Sequence, residues 1–267
     1  MTTELLAPAG GQEALVAAVQ SGADAVYMGF GAFNARRSAR NFSDEEFRAA
    51  VSYCHLRGVK VYLTLNTLVT DRELPALAAE ARTASECGVD AILVQDWGVL
   101  ATLQKIIPDV PLHASTQMNV RGKRGIELAA RLGCSRVTLA RELSIEKVAE
   151  FAELGVDLEV FVHGALCICQ SGQCLLSSLI GGRSANRGLC AQPCRLPYRL
   201  VDADGRKLAD EGQYLLSPRD LCGIEMIDRL IEADVASLKI EGRMKSPEYV
   251  STVTAIYREA IDRAWED

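Results

Sequence analysis

The phrase Ser21-Gly-Ala-Asp-Ala-Val26 returns as Cys87-Gly-Val-Asp-Ala-Ile92, each time closing an amphipathic stretch and opening a short apolar run. Looser copies begin at Leu132, Leu154 and Glu232. In each, a small or turn-forming residue ends a helix and a buried strand follows. The repetition predicts strands at 4–7, 25–28, 60–64, 91–94, 112–115, 136–139, 158–162 and 236–240. Helices are expected between them at 12–20, 44–57, 73–86, 99–106, 124–132 and 145–154, with a last one from 247 to about 263. Ser43 and Glu46 form the capping box of the second. Eight strands alternating with helices imply a parallel sheet closed as a (β/α)8 TIM-type barrel of the α/β class. A doubly wound open sheet is the weaker alternative, because no glycine-rich dinucleotide fingerprint follows the first strand. A chain of 267 residues suits one such domain.

The alternation breaks once, after the seventh strand. Residues 164–216 form a cysteine-rich insertion with an expected hairpin over 198–208, turning at Asp204-Gly205. Ser217-Pro218 is expected to cap a helix over 219–232. The insertion leaves the C-terminal end of a strand, the face on which barrel enzymes build their sites.

Of the nine cysteines, Cys54, Cys87 and Cys134 stand alone before turns and read as packed small hydrophobes. Cys167, Cys169, Cys174, Cys190, Cys194 and Cys222 are concentrated together, and in a reducing compartment such a group reads as metal-binding or catalytic. Two spacings compete. Cys169 and Cys174 with Cys190 and Cys194 resemble the paired knuckles of a structural zinc site. Cys167, Cys174 and Cys190 with a distant fourth thiolate suit an iron–sulfur cluster. A nucleophilic Cys167–His163 pair would be one thiolate among five others.

The strand ends supply many polar groups: Asn66, Gln95, Asp96, His113, Ser115, Gln117, Arg141, Glu142, His163, Lys239, Glu241 and Arg243. Strand alternation turns His113 and Glu159 toward the barrel core. Together the group describes a polar mouth with several cations, suited to an anionic small molecule. Arg36, Arg37 and Arg40 in the loop before Asn41 add charge near it. There is no His-Glu-x-x-His and no Gly-x-Ser-x-Gly, and only three histidines occur. The net charge of −6 argues against a broad nucleic-acid-coating surface while permitting a local basic mouth. No apolar run is long enough to span a bilayer and the N-terminus lacks signal-peptide regions, so the expected compartment is the cytoplasm, without membrane partners.

The stretch Glu159-Val-Phe-Val-His-Gly-Ala-Leu-Cys167, followed by Gly172-Gln-Cys-Leu-Leu-Ser177, resembles the signature of peptidase family U32, the collagenase-like family. Residues 5–10 (LLAPAG), 186–198 (NRGLCAQPCRLPY) and 237–250 (SLKIEGRMKSPEYV) agree with it. The wording is most like larger members related to the ribosomal-RNA cytidine hydroxylase, which leaves room for a further C-terminal domain. The family name implies a protease. Better-understood relatives imply oxygen-independent hydroxylation of a tRNA or rRNA base, with prephenate as a co-substrate, or of ubiquinone precursors. Resemblance to the ubiquinone branch implies a 4Fe–4S cluster on Cys167, Cys174, Cys190 and Cys222, with Cys194, shared with the RNA-modifying branch, as the alternative fourth ligand; zinc is the alternative metal. Of the polar groups at the strand ends, His113, Arg141, Lys239, Glu241 and Arg243 are the catalytic candidates. Arg141, Lys239 and Arg243 would anchor the carboxylate co-substrate, since guanidinium forks match carboxylates. RNA contact would fall to Arg36, Arg37, Arg183 and Arg187 at the rim.

Overall fold

In the computed structural model, which describes residues 3–36, 41–208 and 213–266, eight parallel strands close into a barrel. They are β1 (Glu4–Ala9), β2 (Ala25–Met28), β3 (Lys60–Leu65), β4 (Ala91–Val94), β5 (Leu112–Ala114), β6 (Cys134–Thr138), β7 (Asp157–Gly164) and, after the insertion, β9 (Ser237–Ile240). The ring closes where β9 lies between β7 and β1, pairing Leu238 with Val160 and with Leu5. Helices α1 (Gln12–Gln20), α2 (Asp44–His55), α3 (Leu74–Cys87), α4 (Trp97–Ile106), α5 (Lys123–Arg131) and α6 (Ile145–Ala152) follow the first six strands, and α9 (Pro247–Glu266) packs on α1. Arg37 and Arg40 lie outside the described residues. No described helix is long and apolar enough to cross a membrane.

The repeated phrase has a physical cause at both ends. Gly22 (φ 91°) and Gly88 (φ 85°) take the left-handed conformation that stops α1 and α3, where a side chain is strained. In the loosest copy Asp234 holds the same conformation at φ 54°, which aspartate tolerates better than most residues. Two positions on, Asp24 accepts a hydrogen bond from the Leu5 N–H at 2.8 Å, and Asp90 one from Val61 at 2.7 Å. The carboxylates thus fix the start of the neighbouring strand. The Ser43–Glu46 capping box forms as expected.

Most of the core lies between strands and helices, with Leu5, Leu15, Phe47, Leu63, Leu77 and Leu103 fully buried. A smaller cluster, Leu6, Ala25, Tyr27, Tyr62, Ala91 and Leu93, lies apart from it on the alternate strand positions that face the barrel lumen.

The insertion differs from expectation at its end. The helix expected over 219–232 begins only at Ile227, as α8 (Ile227–Glu232). Before it, β8 (Leu221–Cys222) runs antiparallel to the end of β7, His163 opposite Cys222. Gly223 explains this. Its N–H donates to the Val162 carbonyl at 2.8 Å, drawing the chain onto β7 where a helix cannot start. The hairpin forms, Val201 bridging Lys207, and a short helix α7 (Leu176–Gly181), not anticipated, follows Cys174.

Candidate functional site

Below the mouth, the lumen holds a buried set of charges. Glu4 accepts from Arg136 at 2.6 Å, from the Tyr62 hydroxyl at 2.5 Å and from Ser237 at 2.9 Å. Glu159 accepts from Lys239 Nζ at 2.7 Å and from Thr138 at 2.8 Å, with Arg136 at 3.9 Å. Burial alone would raise the Glu159 carboxyl, but Lys239 and Arg136 hold it below its ordinary value. His113 sits in this layer, edge-on to the Tyr62 ring at 5.0 Å. Burial and then Arg136 push its pKa down to about 3, so the ring is neutral.

Above lies a cavity of about 380 Å³, measured to where it opens to solvent, lined among others by Tyr27, Phe161, Arg36, Arg141, Lys239, Glu241 and Arg243. Lys239 Nζ stands 4.4 Å from the Tyr27 ring centroid and 5.4 Å from that of Phe161. Arg243 donates to Asn34 at 3.2 Å and to Thr64 at 2.9 Å, both neutral acceptors. Burial draws its pKa down to about 10, which leaves it charged at neutral pH. Arg141 lies over Phe161 at 4.4 Å and donates to the Ala165 carbonyl at 2.9 Å. Neither arginine has an ion-pair partner among the described residues. Glu241 is paired with Arg36 at 2.8 Å. Although burial opposes it, Arg36, Arg141 and Arg243 lower its pKa to about 2. Four cations against Glu241 and the deeper Glu159 leave the mouth net positive.

The insertion closes one side of the mouth and forms a second, larger cavity of about 1040 Å³ measured to open solvent. Arg36, Thr116, Gln117 and Arg141 line both cavities. Loops of the barrel hold it in place. Ser171 N–H donates to Glu142 at 2.5 Å, Arg187 bonds Glu73 at 2.6 Å and the Leu68 carbonyl at 3.1 Å, and Leu68 N–H donates to Asn186 at 3.0 Å. Gly172 (φ 72°) sits so close to the Gln117 carbonyl that a Cβ there would overlap it. Cys167, Cys174, Cys190 and Cys194 all line this cavity. Burial raises the Cys167 and Cys194 thiols, and each lies close enough to Cys174 and Cys190 to interact with them electrostatically. No three His, Cys, Asp or Glu side chains among the described residues converge on a point that would hold a single ion.

The structure therefore brings Arg141, Lys239, Glu241 and Arg243 to one cavity, and Cys167, Cys174 and Cys190 to the adjoining one. His113 is not with them; it lies a layer below, in the lumen. Cys222 does not join the other thiols either. It is an exposed residue opposite His163 on β7, whose Nδ1 lies 3.3 Å from the Tyr257 hydroxyl of α9, and Cys194 is the fourth thiol that lines the cavity. Of the rim arginines, Arg36 and Arg187 are engaged in ion pairs and Arg183 is exposed. Tyr27, Asn34, Thr64 and Phe161 were not singled out from the sequence. Tyr27, Thr64 and Phe161 stand on strands whose inward alternation was the available signal, whereas Asn34 lies on a loop that carries none.

A family model described as peptidase family U32 matches residues 10–267. The tRNA hydroxylation protein P1 of Bacillus subtilis is 38% identical over 265 residues, covering 97% of this chain and 63% of that protein. The 23S rRNA 5-hydroxycytidine synthase of Escherichia coli is 41% identical over 267 residues, covering 99% of this chain and 40% of the other. The chain thus spans less than two thirds of the length of either relative. A solved structure of a U32 peptidase matches with a TM-score of 0.58 at 15% identity, covering 89% of this chain and 92% of that one, a likeness of fold.

Proposed function

Because the chain belongs to peptidase family U32, we propose that it carries out oxygen-independent hydroxylation of a base in ribosomal or transfer RNA, with a 4Fe–4S cluster and an anionic co-substrate of the prephenate kind. One observation carries the reading: a cavity lined by four thiols and a cationic mouth share a wall made by Arg36, Gln117 and Arg141. The names of the two relatives supply the substrate class.

The residues fit such a group. Cys167, Cys174, Cys190 and Cys194 stand around the walls of an open cavity. A single zinc at about 2.3 Å from each sulfur would need the thiols drawn to one point, whereas a multi-iron cluster fills such room. Cys222 is left out of the ligand set. Bound there, a cluster would supply electron transfer or a Lewis-acidic iron. Arg141 and Arg243, without a carboxylate partner among the described residues, would take the co-substrate carboxylates as forked donors, with Lys239 beside them. Arg36, already held by Glu241, borders both cavities and keeps the wall between them cationic. A base must leave its stack to reach this depth, which favours unpaired RNA. Exposed Arg183, Arg199 and Arg206 on the insertion would supply phosphate contacts.

Peptide hydrolysis finds less support. His55 pairs with Asp90 on the surface, His113 lies in the lumen and His163 faces Tyr257, so none of the three lines the thiol cavity. The test is deletion of the gene followed by mass spectrometry of rRNA and tRNA nucleosides, with iron and sulfide assays on anaerobically purified protein. A missing hydroxylated nucleoside and bound iron are expected. An unchanged nucleoside profile with robust proteolysis would restore the peptidase reading, and stoichiometric zinc without iron would remove the cluster.

A further inference from the structure

Lys239 occupies the C-terminal end of the last barrel strand, where its Nζ lies between the lumen and the mouth. Neutralising Glu159 does not account for this placement, since Arg136 already faces that carboxylate from below. The amine sits against two aromatic rings and shares its cavity with two guanidiniums that have no carboxylate partner among the described residues. A buried amine beside other cations, with a carboxylate in contact to relieve it of a proton, is the arrangement that makes a lysine a nucleophile toward carbonyl carbon.

We propose that Lys239 condenses with the carbonyl group of a small 2-oxo carboxylate held by Arg141 and Arg243, forming an imine, with Glu159 as the group that takes and returns the proton. The inference rests on the reading of the mouth as an anion site and deepens it by naming the class of ligand.

The chemistry balances without an external oxidant. Glu159 Oε1, 2.7 Å from Nζ, accepts one ammonium proton. The neutral amine adds to the carbonyl carbon, and the C–O bond then breaks with the oxygen leaving as water. Amine and ketone give imine and water. Burial and Arg243 draw the Lys239 pKa below its ordinary value even with Glu159 opposing them, which eases loss of the proton, and Glu159, held low by Lys239 and Arg136, gives it back when the C–O bond breaks. Tyr27 does not compete for that proton: burial first, then Glu241, raises its own pKa, and its hydroxyl donates to the Ile240 carbonyl at 2.9 Å. Arg141 and Arg243 remain charged and hold the carboxylate.

The experiment uses the intact chain with pyruvate as probe and borohydride as trap, followed by peptide mass spectrometry, with calorimetry of pyruvate binding alongside. The expected result is a mass gain equal to the acid less one oxygen, confined to the peptide carrying Lys239 and suppressed by excess succinate, which has no ketone. Glu159→Gln, by removing the proton acceptor, should slow trapping about a hundredfold while binding persists; the wild-type result stands whether or not that variant folds. Binding without an adduct, or adducts spread over surface lysines, would overturn the imine and leave the anion site intact. Neither binding nor adduct would remove both.

Discussion

Lys239 Nζ and Glu159 Oε1 meet at 2.7 Å with both side chains almost wholly out of solvent, on strands that are hydrogen-bonded neighbours in the barrel. A pair in this setting is held by mutual need. Each charge would cost several kcal/mol if left alone, and the pair itself contributes little against an apolar substitute.

Lys239→Met should accordingly destabilise the barrel by about 3–5 kcal/mol, because Glu159 then lies buried with the neutral Thr138 hydroxyl in contact and Arg136 only at 3.9 Å. The double variant Glu159→Leu with Lys239→Met should recover most of that loss. Urea unfolding of the two singles and the double measures the coupling. Additive losses would show that the two side chains act independently.

The thiol set separates Cys194 from Cys222. Cys194→Ser should lose iron and sulfide after anaerobic reconstitution as completely as Cys167→Ser does. Cys222→Ser should retain both, since Cys222 pairs with His163 of β7 and does not line the cavity. Retention by the first and loss by the second would reverse the assignment.

Gly172 links the insertion to the barrel. Gly172→Ala adds a Cβ in a left-handed conformation against the Gln117 carbonyl, a strain of order 1–3 kcal/mol that lifting the insertion relieves. The main thermal transition should move little, because the core lies elsewhere. Thiol-reagent labelling of Cys167, Cys174, Cys190 and Cys194 should become faster, and unchanged labelling would show that the insertion does not depend on this contact.

Most of the frame was legible because each strand boundary carries a local cause. Gly22 and Gly88 stop helices, and two residues after each an aspartate, Asp24 or Asp90, marks the strand that follows. The site was legible where residues shared strand ends, as Lys239, Glu241 and Arg243 do. It was not legible where long-range placement decided. Nothing near Cys222 in sequence says that Gly223 will bond Val162 and carry that thiol away from the rest. Nor does the spacing of Cys190 and Cys194 say that both will reach Cys167. The inward turn of His113 was legible from strand alternation, but its edge-on contact with Tyr62, a strand pair away, was not.

Glu80 on α3 gives the fold a pH dependence. Burial raises its carboxyl from 4.5 to about 8, although the Ala32 N–H partly offsets this, and Asp44 adds to the rise. A folded-state pKa above the unfolded one means that its stabilising contribution is complete below about pH 4.5 and is lost as pH climbs through 8. Glu80→Gln should therefore match the wild type near pH 5 and exceed it near pH 9 in thermal unfolding. Equal stability of the two at both values would show that the carboxyl titrates normally.

Arg243 offers the most direct test of the mouth as an anion site. Its guanidinium is buried and held in place by Asn34 and Thr64, neutral oxygens that orient it without cancelling its charge. A carboxylate entering the cavity would meet a donor already desolvated and aimed, so the interaction is charge-assisted and keeps most of its strength. Hydrogen bonds to charged groups are worth about 1.5–3 kcal/mol, which corresponds to roughly ten- to a hundredfold in affinity. Arg243→Gln should weaken binding of a small dicarboxylate by that factor. Arg243→Lys should recover only part of it, because an ammonium keeps the charge but not the fork. Arg187→Gln changes an arginine whose charge is already taken by Glu73, and should leave the affinity as it was. Calorimetric titration of the three variants and the wild type reads these differences directly. Equal losses for Arg187→Gln and Arg243→Gln would mean that the mouth attracts anions by general charge alone, with no site built around Arg243.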